Sequence, residues 1–61
     1  MNVTEIFEQM EQTMELAKAD VAKFDNGNAT AGTRVRKYMQ ELKNLAQEMR
    51  VTVQEVKNAE K

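Results

Sequence analysis

No cysteine, histidine, serine, tryptophan or proline occurs anywhere in the 61 residues. Without cysteine the chain has neither disulfides nor thiolate metal ligands. Without histidine it lacks the side chain that ordinarily titrates near neutrality, and the absence of serine removes the remaining common nucleophile. Carboxylates are plentiful but spread along the chain, and raising a Glu pKa to a working value takes burial that so short a sequence hardly supplies. No enzyme, cofactor, metal ion or small-molecule substrate is expected.

Long apolar runs are missing as well. No stretch approaches the roughly 18 consecutive apolar residues of a membrane span, and no basic segment followed by an apolar one opens the chain. A cytoplasmic protein without membrane contact is expected. Asn2-Val3-Thr4 and Asn28-Ala29-Thr30 match the glycosylation sequon, but that reading needs an export signal and gets no weight here. Aromatic side chains are limited to Phe7, Phe24 and Tyr38, too few and too dispersed for a stacking platform on single strands.

With no proline, and with Gly27 and Gly32 as the only glycines, the chain has one natural break, Asp25-Asn26-Gly27-Asn28. Gly27 or Asn26 can take the left-handed conformation that ends a helix, and Asn28 can cap the next one. Asn2 and Glu5 stand at capping-box spacing, and acids crowd the turns that follow, as the helix dipole favours. Val3, Phe7, Met10, Met14, Ala17, Val21 and Phe24 then recur in alternating steps of four and three. This pattern predicts a first helix over about 3–25, a turn at 26–28 and a second helix over about 29–58. Gly32 falls near the start of the second helix, where it allows a close approach by backbone or ligand.

The last 28 residues divide into four heptads, 34–40, 41–47, 48–54 and 55–61. One slot is aliphatic throughout (Val35, Leu42, Met49, Val56) and the next is always basic (Arg36, Lys43, Arg50, Lys57). Heptad spacing draws each slot into a line along a helix, so the basic line places a cation about every 10.5 Å. Tyr38 and Leu45 on one side, with Met39, Ala46 and Val53 on the other, widen the apolar stripe until it faces more than one neighbour. Four of the five methionines (Met10, Met14, Met39 and Met49, but not Met1) fall on apolar faces, where core packing is their expected role.

A chain of this size hides only about 60% of its unfolded surface, and two helices side by side each leave a face in water. Self-association is therefore expected. The fold class is all-α: an antiparallel two-helix hairpin forming one domain and pairing into a dimeric four-helix bundle. The expected core and oligomer seam comprises Phe7, Met10, Met14, Val21, Phe24, Val35, Leu42, Leu45, Met49 and Val56.

Charge is divided between the halves. Residues 1–26 carry six acids against two lysines, a net of −4, and residues 27–61 carry a net of +3, giving −1 in total. Arg34, Arg36 and Lys37 cluster near the start of the second helix, where backbone N–H groups already favour anions. One reading is a phosphate grip on a nucleic-acid backbone without base readout. The other has these cations solvated or paired with first-helix acids around Asp20 and Asp25, and composition alone favours it. The line through Lys43 and Arg50 likewise suits interhelical pairing, opposite Glu41, Glu48 and Glu55 on the other flank.

The run from Gly27-Asn28 through Ala31-Gly32-Thr33-Arg34-Val35-Arg36-Lys37, followed by Leu42, Leu45 and Met49-Arg50, resembles the core segment of bacterial linker-histone-like proteins. The match is densest over 27–50. The resemblance implies a nucleoid-associated protein that binds DNA without sequence preference and helps compact it. Carried over, Arg34, Arg36 and Lys37 are the DNA contacts and Arg50 a weaker one, while Gly27 and Asn28 shape the turn. Ala29 stands where such proteins commonly have Lys, and their long Lys/Ala-rich tail is not among these residues. Binding is accordingly expected to be weak, salt-sensitive and dependent on several subunits. The competing expectation is a helical scaffold with no nucleic-acid role, and a third is a minor structural part of a larger particle.

Overall fold

The computed structural model describes residues 2–59, so Met1 and Lys61, which closes the fourth heptad, lie outside it. Two helices make up the fold: α1, Val3–Asp25, and α2, Ala29–Ala59. The expected all-α hairpin is borne out. Asn2 opens α1 with a capping box, its Oδ1 accepting from the Glu5 backbone N–H at 2.8 Å while Glu5 accepts from the Asn2 backbone N–H.

The bend between the helices is closed by backbone geometry. Gly27 sits at φ +98, and its N–H donates to the Phe24 carbonyl at 2.9 Å. The Asn28 N–H donates to the Lys23 carbonyl at 3.0 Å, completing a Schellman motif. Asn28 also starts α2, since its Oδ1 accepts from the Ala31 N–H at 3.1 Å. A single asparagine thus closes one helix and opens the next, which is why the bend is so short.

From there the helices run back antiparallel, in a rod 52 × 14 × 13 Å. The radius of gyration is 14.8 Å, against about 10.5 Å for a compact chain of this length. So thin a body encloses little. Ile6 is fully buried, and Ala17, Ala31 and Leu45 are the other buried apolar residues among those described. Thr13 and Asp20 are buried with them, the Thr13 hydroxyl donating to the Gln9 carbonyl at 2.9 Å.

The line of α1 that meets α2 is therefore Val3, Ile6, Met10, Thr13, Ala17 and Asp20. It lies beside the apolar seam read from the sequence and shares only Val3, Met10 and Ala17 with it. Phe7, Met14, Val21 and Phe24 stand exposed on the single chain, Phe7 by 55% and Met14 by 58%. On α2, Leu45 is buried, Val35, Leu42 and Met49 are half-buried, and Val56 is exposed. Close to the bend a Cβ placed on Gly32 would stand 2.7 Å from Cδ2 and Cε2 of Phe24. The close approach at Gly32 is thus made by an aromatic ring lying on bare helix backbone.

Candidate nucleic-acid interface

Four cations were singled out by sequence, and α2 does not bring them together. Arg34 points back across the hairpin, its Nε donating to Oδ1 of Asp20 at 2.9 Å. The Asp20 side chain is 9% exposed and that of Arg34 42%, so the carboxylate is the buried partner and the guanidinium reaches solvent. Desolvating a carboxylate is unfavourable unless a charge and a donor meet it, and Arg34 supplies both. Of the two readings of the basic cluster, pairing with α1 applies to this residue.

Arg36 and Lys37 are both exposed. Adjacent helical positions diverge by about 100°, so they leave α2 in different directions. Lys37 lies one turn from Arg34 on the same flank. Arg36 instead borders a shallow groove with Phe24, Ala29, Gly32, Thr33 and Val35. Arg50 is also exposed, about 21 Å further along the Arg36 edge at 1.5 Å per residue. Among the described residues Arg34–Asp20 is the only salt bridge, so Arg36, Lys37, Lys43, Arg50 and Lys57 enter none with another described residue. At the start of α2 the Ala31 N–H is taken by the Asn28 cap.

The apolar residues, unlike the cations, are brought together. Phe7, Met10 and Met14 from α1 and Met39, Leu42 and Ala46 from α2 line an open groove of about 850 Å³. Glu11, Glu15 and Lys18 border it on the α1 side and Lys43 on the α2 side. Towards the open end of the hairpin, Val3, Phe7, Met49 and Val53 line a further hollow. The two apolar stripes read from the sequence are thus the two walls of one face.

Sequence reasoning missed Ile6 and named Asp20 as one of the acids that could pair with the basic cluster, without marking it as buried. Ile6 continues the three-and-four spacing between Val3 and Met10, a signal that was present and passed over for Phe7. The burial of Asp20 gave none, since an acid on an amphipathic helix reads as surface until its partner is known. Among the described residues no helix is long and apolar enough to cross a membrane.

These features define a small helical protein with a cationic strip and an uncovered apolar face. The chain matches the family described as histone H1-like protein Hc1 over residues 4–59, and it belongs to that family. The family is one of non-enzymatic proteins that are histone-like and DNA-associated, the latter two as the resemblance carried by residues 27–50 implied. No curated protein and no solved structure matches the chain.

Proposed function

We propose that this chain binds DNA without sequence preference, through phosphate contacts, and does so as a dimer. The observation that carries the reading is the state of Arg36 and Lys37. Both are exposed, both lie near the bend, and neither forms a salt bridge with a described acid of its own chain. Two exposed cations that leave α2 in different directions suit a phosphate backbone better than the reading of bases. Arg34, held by Asp20, contributes less than its place in the motif implies, and Arg50 is a secondary contact along the same edge as Arg36.

Two cations per chain give weak binding, and pairing of chains compensates by presenting the set twice. The uncovered face supports such pairing, because Phe7, Met14, Val21 and Met39 in water favour burial against a second apolar surface. A helical scaffold without nucleic-acid binding remains the competing reading, favoured by the net charge of −1.

Electrophoretic retardation of duplex DNA across a salt series separates them. Retardation at about 50 mM salt that fades steeply by about 200 mM supports phosphate binding. Absence of retardation at low salt and tens of micromolar protein overturns it in favour of the scaffold.

A further inference from the structure

The two edges of the apolar face carry opposite charge, and this has a consequence for how a second copy fits. Along α1 the border is mainly acidic, with Glu11 and Glu15 at the groove, Glu8 one turn before Glu11, and Lys18 as the exception. Along α2 the border is Arg36, Lys43, Arg50 and Lys57, which heptad spacing keeps on one line. None of these four enters a salt bridge with another described residue.

Two hairpins laid face to face about a two-fold axis can be related in two ways. With the axis along the rod, both bends lie at the same end and each α1 faces the partner's α2. With the axis across the rod, the bends lie at opposite ends and each helix faces its own copy.

We infer that the apolar face binds a second copy of this chain in the first arrangement, bends together. The inference rests on the proposed self-association and supplies its geometry. The Asp20–Arg34 pair fixes which residues of the two helices stand level, and by that register Glu11 is level with position 43. In the same-end dimer Glu11 therefore meets the partner's Lys43, Glu8 falls between the partner's Lys43 and the partner's Arg50, and only Lys18 meets a like charge, the partner's Arg36. In the opposite-end dimer, with the two α1 helices in full overlap, Lys18 meets the partner's Glu11. That arrangement also sets the all-basic edge against itself, Arg36 beside the partner's Lys43.

The lengths of the helices agree. α2 has 31 residues to the 23 of α1, so beyond Val53, which still borders Val3 and Phe7, its last turn with the exposed Val56 has no α1 beside it. Only the same-end dimer sets these two segments next to each other, where the Met49, Val53 and Val56 spacing suits a two-stranded coiled coil. It also doubles Arg36 and Lys37 at one tip.

Lys18→Glu distinguishes the arrangements by sign. In the same-end dimer it replaces two repulsions by two attractions and tightens dimerisation about tenfold at low salt. In the opposite-end dimer it removes two attractions and weakens it, which overturns the inference. A spin label on Asn58→Cys, clean because the chain has no other cysteine, gives an independent distance. Two labels within about 25 Å, two helix diameters, support the same-end dimer, and a separation near 50 Å overturns it. Sedimentation mass is measured on the same samples. A dimer with the long distance overturns the geometry alone, whereas a monomer at tens of micromolar, with helicity retained, overturns the self-association beneath it.

Discussion

Arg34 Nε and Asp20 Oδ1 meet at 2.9 Å across the hairpin and tie the second turn of α2 to the last two turns of α1. The bond places a residue of the cationic motif in a structural role. Arg34→Ala leaves a buried carboxylate unpaired and is expected to cost about 1–3 kcal/mol of stability, while Arg36→Ala, at an exposed position, changes it by no more than about 0.5 kcal/mol. Urea unfolding followed by circular dichroism compares the two. Equal stability of both variants would show the ion pair to be idle.

Ile6 and Phe7 are neighbours with opposite fates, one fully buried between the helices and the other on the open face. Ile6→Ala removes packing that no rearrangement of a thin rod recovers, at an expected cost of about 2–4 kcal/mol. Phe7→Ala with Met14→Ala spares the contact between the helices and removes the apolar face instead. Its expected result is a monomer at concentrations where the parent chain is a dimer, read by sedimentation.

The hairpin was legible because its signals are local: a capping asparagine, one glycine in a polar break, and heptads on either side. The contact line of α1 was less so. Thr13 and Asp20 stand on it, and polar residues interrupt the apolar periodicity that marks an interior. The strongest apolar pattern ran one position to the side, through Phe7 and Met14, and that line walls the open face. In a two-helix protein the largest apolar stripe need not be the one a chain buries by itself. The candidate site was legible as residue types only, since spacing placed Arg34 beside Arg36 but gave no sign that Asp20 holds one and not the other.

Gly27 carries the bend at φ +98 with nothing within 4 Å of where a Cβ would stand. Any penalty for Gly27→Ala is therefore conformational, about 1 kcal/mol for holding an L-residue in the left-handed region. Asn28→Ala removes the cap on α2 and is expected to cost a similar amount, about 1 kcal/mol. The two act on one turn, so the double variant should lose less than the sum if the bend loosens as a unit. Thermal unfolding of the three variants measures this.

Phosphate binding makes a demand that base recognition does not. Arg36→Ala with Lys37→Ala is expected to weaken retention of every duplex equally, whatever its sequence, because both cations act on a backbone common to all. Each lost contact should also flatten the plot of log affinity against log salt by about 0.9, so a dimer losing four cations loses most of its salt dependence. Arg34→Ala differs in kind: its effect on affinity should track the fraction of folded protein and leave the slope nearly unchanged. Were the Arg34 variant to flatten the slope as the Arg36 and Lys37 changes do, the guanidinium would be touching phosphate despite its bond to Asp20. Competition with duplexes of contrasting base composition, at fixed salt, completes the measurement.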